Sequence, residues 1–268
     1  MIPLKSKTTD ADWQHGLERV AAEYPRERAV EQVEIVVDRI SRLPGKLALA
    51  WSGGKDSQVL RLCCNLAGVE DGVLCISGLE FPAMDRWRFD RLDNLEVVKS
   101  KHDAAWLQDH QKFLFTKDAN TFAQFQKMVV HHGQERYYRE HDLDGMVLGR
   151  RWADDNYTGR GRGEMSYTTK QNVTRHSPMA DMSHEDLLGI IYWYGLELAP
   201  CYGWRDGWTW GTGPWVYGVK MRGEFPDRAA ELDYNFRGVH EIDSTIIPDA
   251  AIVLEPAREW MERNDITS

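Results

Sequence analysis

The chain has 268 residues, 42% hydrophobic and 28% charged, values typical of a globular protein with one large domain or one domain and an extension. Its formal net charge of −9 argues against a generally basic nucleic-acid-binding surface. No apolar run reaches the roughly 18–20 residues that span a bilayer, and the N-terminus lacks the apolar core of a signal peptide. We therefore expect a cytoplasmic protein without a membrane partner.

The N-terminal segment, residues 1–45, is predicted to be helical. Residues 10–43 contain few helix breakers, and Pro25 is expected to separate two helices. Val33, Val36 and Ile40 belong to an apolar stripe, so this segment packs on the sheet or forms a dimer surface. The sequence leaves both open.

The central segment, residues 46–200, alternates short apolar runs with helical patterns, which predicts an α/β fold with a mainly parallel sheet. The predicted strands are 46–51, 72–77, 95–99 and 146–149, and the predicted helices are 56–67, 83–92, 103–115 and 121–140. Ligands bind at the carboxyl ends of such strands, so the turns after Trp51, Ser77 and Gly149 should face one cleft.

The first of these turns has the sequence Ser52-Gly53-Gly54-Lys55-Asp56-Ser57. Two adjacent glycines allow a sharp turn and a close ligand, and the following helix start favours an anion. The serine hydroxyls and the lysine add donors for phosphate oxygens. The turn lacks the spacing of the Walker loop, in which four residues separate glycine from Gly-Lys.

The remaining segments were assigned from local patterns. Gly159–Gly163 predicts either a loop over the site or a solvated connector, and Ser183 with Asp186 predicts a capped helix that ends near Gly195. Residues 201–268 form a predicted C-terminal extension on the same domain, with four tryptophans among glycines in 201–217. These rings either pin a loop to the core or stack on a base. The run Ala250–Leu254 predicts a strand.

The cysteines form no C-x-x-C pair, so neither a zinc site nor a disulfide framework is indicated. Cys63, Cys64 and Cys75 are interpreted as buried hydrophobic residues, whereas for Cys201 an exposed position remains open. The histidines are interpreted as surface residues, and none has the spacing of a metal pair.

The turn SGGKDS resembles the PP-loop of the ATP pyrophosphatase superfamily, and further blocks resemble its phosphoadenosine phosphosulfate (PAPS) reductase family. They are Ile76–Pro82, Gly149-x-Arg151-x-x-Asp154-Asp155, Ser177–Asp186 and Leu198–Tyr202. The resemblance implies an adenine nucleotide α-hydrolase-like sandwich with a five-stranded, mainly parallel sheet between helices.

The resemblance also implies that ATP is bound and cleaved between its α and β phosphates, with adenylation of an acceptor. Lys55, Asp56 and Arg151 are the expected catalytic residues, and Asp56 the expected Mg²⁺ ligand. A helix N-terminus would suit Asp56 equally well. The expected nucleotide-binding residues are Ser52, Gly53, Gly54, Lys55, Asp56, Ser57, Ser77, Gly78, Gly149 and Arg150.

The departures from the family pattern leave the acceptor open. No cysteine occurs in 235–268, where the reductases carry their catalytic thiol. Three alternatives to ATP-dependent adenylation therefore remain. They are a PAPS or adenylyl-sulfate reductase that uses an external thiol, a subunit of a nucleic-acid sulfur-modification system, and a nucleotide-binding module without turnover.

Overall fold

A computed structural model describes residues 9–154, 164–217 and 225–266. The helices are α1 Asp10–Glu23, α2 Arg26–Ser41, α3 Lys55–Leu66, α4 Pro82–Phe89, α5 Ala104–Gln108, α6 Ala119–Gln126, α7 His132–Glu140, α8 His184–Trp193, α9 Gly207–Trp210, α10 Arg228–Ile242, α11 Ile247–Val253 and α12 Glu255–Arg263. The strands are β1 Leu47–Trp51, β2 Gly72–Ile76, β3 Leu95–Lys99, β4 Gly145–Leu148, β5 Ser166–Thr168 and β6 Thr174–His176.

The strands form one sheet in the order β3-β2-β1-β4-β6-β5. Strand β1 lies parallel to β2 and β4, and β4 lies parallel to β6, whereas β5 is antiparallel to β6. The predicted α/β fold with a mostly parallel sheet flanked by helices is confirmed. The sheet has six strands rather than the five that the resemblance implied. The sequence patterns predicted four of them and missed the short β5–β6 hairpin.

The register brings the ends of β1 and β4 together. Ala50 of β1 pairs with Leu148 of β4, so the turn after Trp51 and the residues after Leu148 leave the sheet side by side. Parallel strands share one carboxyl edge, and this edge therefore positions two of the predicted site segments.

Within the described residues, the chain forms two compact units. The first comprises residues of 1–74, 92–97 and 134–211. In it, helices α1 and α2 both contact α8, and α2 also contacts α3. The buried positions of α2 are Ala29, Val33, Val36 and Ile40. Burying a large aliphatic side chain completely stabilises the folded protein by roughly 1.5–3 kcal/mol. The apolar stripe of α2 is therefore buried against other parts of this chain. The predicted break at Pro25 is confirmed, since α1 ends at Glu23 and α2 begins at Arg26.

The second unit comprises residues of 75–91, 98–133 and 212–268, and it is mostly helical. Helix α11 contacts α5 and α12. The predicted strand at Ala250–Leu254 is wrong, because Ile247–Val253 is helical with Pro248 in its first turn. A short apolar run does not distinguish a strand from a helix, and here Ile247, Ala250, Ala251 and Val253 are buried in a helix whose Ile252 is exposed.

Two long predicted helices have interruptions. The pattern over 103–115 becomes the short helix α5 and a 3-10 turn at Gln111–Phe113. The pattern over 121–140 runs from α6 through a π turn at Lys127–His131 into α7. No helix in the described part of the chain is long and apolar enough to cross a membrane. The three-part division at residues 45 and 200 stays a prediction.

Candidate active site

The glycine turn after β1 leads directly into helix α3. Gly53 has a φ of +77°, a conformation that glycine adopts without strain, and Gly54 is the N-cap of α3. Ser52 Oγ accepts a hydrogen bond from the Gly54 amide at 3.3 Å, and Ser57 Oγ donates to the Gly54 carbonyl at 2.9 Å. The turn is therefore held by its own serines. The first N–H groups of α3 have no acceptor inside the helix, which suits an anion.

Four charged side chains meet at this helix start. Lys55 Nζ lies 2.6 Å from Asp56 Oδ2 and 3.6 Å from Asp154 Oδ2. Arg151 donates through Nε to Asp56 Oδ1 at 2.5 Å and through Nη2 to Asp154 Oδ2 at 2.9 Å. Two cations and two carboxylates thus form a network with a formal charge of zero. We call Lys55, Asp56, Arg151 and Asp154 the four-charge network.

Burial makes the four-charge network costly to break. The side chain of Arg151 is 0% exposed and that of Lys55 is 8% exposed. Both cations are therefore buried, and the pair of Arg151 with Asp154 is not a surface ion pair. Burial alone would raise the pKa of Asp56, but the charges of Lys55 and Arg151 outweigh it and hold the pKa well below its usual range.

Aromatic side chains cover the lysine. Trp13 of α1 stacks on Trp208 of α9 with ring centroids 5.3 Å apart, and Lys55 Nζ lies 5.0 Å from the Trp13 ring. The Tyr202 hydroxyl accepts a hydrogen bond from the Lys55 amide at 2.8 Å. Trp208 and Trp215 are both buried. These two tryptophans of 201–217 thus agree with the interpretation of a loop pinned to the core.

His184 at the start of α8 also faces the four-charge network. Its Nδ1 lies 3.4 Å from Arg151 Nη2 and its ring meets Trp13 edge-on with centroids 4.5 Å apart. Burial first, and then the charge of Arg151, lowers the pKa of His184 to about 4. The imidazole is therefore neutral near pH 7. Its assignment as a surface residue is wrong, since His184 and also His176 are buried.

Gly149 allows β4 to approach the loop. A Cβ atom at this position would lie 3.1 Å from the Asp56 carbonyl carbon and 3.3 Å from the Ser57 amide nitrogen. Backbone atoms cannot move aside as a flexible side chain can. A glycine at the end of β4 therefore lets Arg151 reach the first turn of α3.

The other predicted residues have different surroundings. Arg150 donates through Nη1 to the Tyr167 hydroxyl at 3.0 Å. Ser77 and Gly78 belong to the second unit, where Glu80 accepts hydrogen bonds from both of their amides. The predicted loop Gly159–Gly163 and Asp155 lie outside the described residues.

The acidic residues around the start of α8 join this helix to α1 and α2. Asp186 accepts from the Tyr24 hydroxyl at 2.7 Å and from Arg28 Nε at 2.8 Å, and Asp181 forms a two-bond pair with Arg39. Glu185 pairs with Arg19. The predicted N-cap is confirmed, because Ser183 accepts from the Asp186 amide. These acids therefore have structural partners.

The cysteines are reduced, and three of the four are buried, namely Cys63, Cys64 and Cys201. Cys201 is only 1% exposed, so the open position considered for it is excluded. Burial raises the pKa of Cys63 to about 12, which disfavours the thiolate. Cys75 has intermediate exposure rather than full burial.

Sequence reasoning missed four residues that complete the site: Trp13, Asp154 as a member of the network, His184 and Tyr202. Asp154 had a sequence signal, because it stands three residues after Arg151. Trp13 had no such signal, because an apolar residue on an amphipathic helix is normally part of a core and does not indicate a site.

The donor set fits a nucleotide phosphate group with a divalent cation. The turn provides amides and hydroxyls, and two cations lie beside it. Asp154 Oδ1 is buried without a hydrogen-bond partner among the described residues. Mg²⁺ is held in proteins by one or two carboxylates together with substrate phosphates. The described residues hold no group of three or more His, Cys, Asp or Glu side chains suited to a metal, so phosphate oxygens would have to complete its shell.

Comparison with known proteins identifies a family. A family model described as "Phosphoadenosine phosphosulfate reductase domain" matches residues 46–204. No curated protein matches the chain.

Three similar solved structures illustrate the range of relatives. A PAPS reductase from Candida auris, in a phosphate complex, is 14% identical with a TM-score of 0.49, and the match covers 76% of this chain and 95% of that one. The U34-tRNA thiolase from Methanococcus maripaludis, with its [4Fe-4S] cluster, is 14% identical with a TM-score of 0.48, covering 92% and 83%. Yeast FAD synthetase in complex with FAD is 13% identical with a TM-score of 0.46, covering 97% and 93%. At these identities and TM-scores the likenesses carry no argument about activity.

Proposed function

Because the chain belongs to the phosphoadenosine phosphosulfate reductase domain family, we propose that it is an enzyme that binds ATP and cleaves it between the α and β phosphates. An acceptor is adenylated and pyrophosphate is released. One observation carries this proposal: Lys55 and Arg151 meet at the N-terminus of α3, directly after a two-glycine turn.

The turn would hold the leaving pyrophosphate. The amides of Gly53–Ser57 and the hydroxyls of Ser52 and Ser57 are suited to phosphate oxygens, and the dipole of α3 favours their charge. The Gly54 and Lys55 amides would exchange their present acceptors, Ser52 Oγ and the Tyr202 hydroxyl, for phosphate oxygens. Preorganised donors of this kind provide much of the catalysis in phosphoryl and nucleotidyl transfer. Of the remaining predicted contacts, Gly149 stays part of this proposal, whereas those of Ser77, Gly78 and Arg150 stay untested predictions.

The four-charge network would exchange partners when ATP binds. Lys55 and Arg151 are each paired with a carboxylate, so neither offers an uncompensated charge to the nucleotide. When bound, Mg²⁺ would be held by Asp56 and Asp154 and would neutralise phosphate charge. Lys55 would turn its ammonium group from Asp56 towards a phosphate oxygen, and Arg151 would orient both carboxylates through its remaining bonds.

The family's own description supports one competing function, sulfonucleotide reduction by an external thiol. Cys63, Cys64 and Cys201 are buried and residues 235–268 contain no cysteine, so the thiol would have to come from outside this chain. Sulfite release from PAPS or adenylyl sulfate with thioredoxin or glutathione would support this alternative. A nucleic-acid acceptor and a homodimer stay untested predictions.

The test of the proposed function is the identity of the labelled product. Protein is incubated with Mg²⁺ and γ-labelled ATP, with water, sulfate, phosphate or nucleic acid offered as acceptor. We expect label in pyrophosphate, and none in the same preparation of Lys55→Met. Arg42→Met is the matched control, because Arg42, the C-cap of α2, is exposed and its side chain pairs with Asp38. Label in free phosphate together with unlabelled ADP, in a preparation free of pyrophosphatase, would refute the proposal.

A further inference from the structure

Strand β6 carries a buried arginine, Arg175. Arg175 is 4% exposed, and its Nε has no hydrogen-bond partner in the described part of the chain. No described carboxylate forms an ion pair with it. A buried charge without a counter-charge is expensive for a folded protein, so such a group is normally paired or binds a ligand.

A second arginine and a tyrosine lie beside Arg175. Tyr167 of β5 stands directly opposite Arg175 in the antiparallel pair, so both side chains leave the same face of the sheet. Arg150 donates to the Tyr167 hydroxyl at 3.0 Å. Burial lowers the pKa of Arg150, and the nearby charge of Arg175 lowers it further. Arg150 and Arg175 are therefore close enough for their charges to interact, and both lie near Tyr167.

This cluster is distinct from the four-charge network. Arg151 bonds to Asp56, Asp154 and the Met182 carbonyl, whereas Arg150 donates to the Tyr167 hydroxyl. The consecutive residues Arg150 and Arg151 thus lie in two different surroundings.

The polar groups near Arg175 include a further hydroxyl that can donate. Ser177, two residues beyond Arg175, has a fully buried hydroxyl oxygen without a hydrogen-bond partner in the described residues. Arg150 and Tyr167 are only partly buried, so a ligand has access from their side. A planar guanidinium group matches two oxygens of a tetrahedral anion at once.

We propose that Arg150, Arg175 and Tyr167 form a second oxyanion site, separate from the glycine turn, which takes a phosphate or sulfate group of the acceptor. The binding of an oxyanion follows from the cluster itself, whereas its assignment to the acceptor rests on the proposed function. The acceptor class is therefore a small molecule with its own phosphate or sulfate group.

The test compares sodium sulfate and sodium phosphate with sodium chloride at equal ionic strength, by thermal unfolding and by calorimetric titration. An anion that binds only the folded protein raises its unfolding temperature. We expect this rise in the wild type, in Lys55→Met and in the exposed-arginine control Arg42→Met. We expect it to be absent in Arg175→Met, with at least about a tenfold loss of affinity for the anion.

Two further measurements keep the test decisive. Without added anion, Arg175→Met should unfold at no lower temperature than the wild type, since it loses an unpaired buried charge. Tyr167→Phe, a milder change, should weaken anion binding without impairing folding. The proposal is overturned if neither anion stabilises the wild type beyond chloride, if stabilisation persists in both variants, or if only Lys55→Met abolishes it.

The relative affinities of the protein for sulfate and for phosphate indicate which of the two groups the acceptor carries. ATP cleavage is measured separately. If anion binding depends on Arg175 but pyrophosphate never appears, the oxyanion site stands and the proposed function fails. If pyrophosphate appears but anion binding does not depend on Arg175, the proposed function stands and the oxyanion site fails.

Discussion

Lys55→Met is the substitution that most directly tests the four-charge network. Methionine retains most of the aliphatic stem but removes the ammonium group. Asp56 and Asp154 would then share only Arg151, and the buried network would carry a net negative charge. The cation–π contact with Trp13 would also be lost.

The magnitude follows from burial. Breaking a fully buried ion pair costs about 3–5 kcal/mol. Asp56 keeps Arg151 as a partner and its side chain is 21% exposed, which reduces the cost. We expect a loss of about 2–4 kcal/mol in the free energy of unfolding, since the cation–π contact adds about 0.5–1 kcal/mol. For a chain of this size, that loss lowers the unfolding temperature by roughly 5–15 °C.

Urea unfolding at pH 7 measures this free energy, and titration calorimetry measures ATP affinity. Arg42→Met removes an exposed pair with Asp38 and should change stability by less than about 0.5 kcal/mol. A double-mutant cycle with Asp56→Asn isolates the coupling between Lys55 and Asp56. If Lys55→Met were as stable as Arg42→Met, the burial argument would fail. If it bound ATP as tightly as the wild type, Lys55 would not contact the nucleotide.

Two further predictions concern pH and backbone packing. The pKa of His184 in the folded protein is lowered to about 4, below the ordinary value near 6.5. As the pH drops from 6.5 to 4, the unfolded chain therefore binds a proton before the folded protein does, and the free energy of unfolding should fall. Urea midpoints at pH 4.5 and 7 should differ less in His184→Gln than in the wild type. An equal difference would show that His184 does not cause this pH dependence. Gly149→Ala should weaken ATP binding in calorimetry, because its Cβ would press on the Asp56 backbone, whereas Gly203→Ala, which meets nothing within 4 Å, should not. Equal affinities in the two variants would show that the close approach is unimportant.

The local sequence determined those elements whose hydrogen bonds join residues only a few positions apart. The glycine turn and the start of α3 could be predicted because strand, turn and helix follow one another in one short segment. The same is true of the Ser183 cap and of the break at Pro25. The blocks around the turn were enough to indicate the family and the mostly parallel sheet.

Tertiary structure alone decided which charges pair and what covers them. Lys55 and Asp154 are separated by nearly one hundred residues, and only the register of β1 with β4 brings them together. The burial of His184 and the aromatic cover of Trp13 depend on the packing of α1 against α8. Long-range contacts leave no periodic signal in the sequence. Lys55 is therefore buried in an ion pair, and the Nε of Arg175 has no hydrogen-bond partner among the described residues.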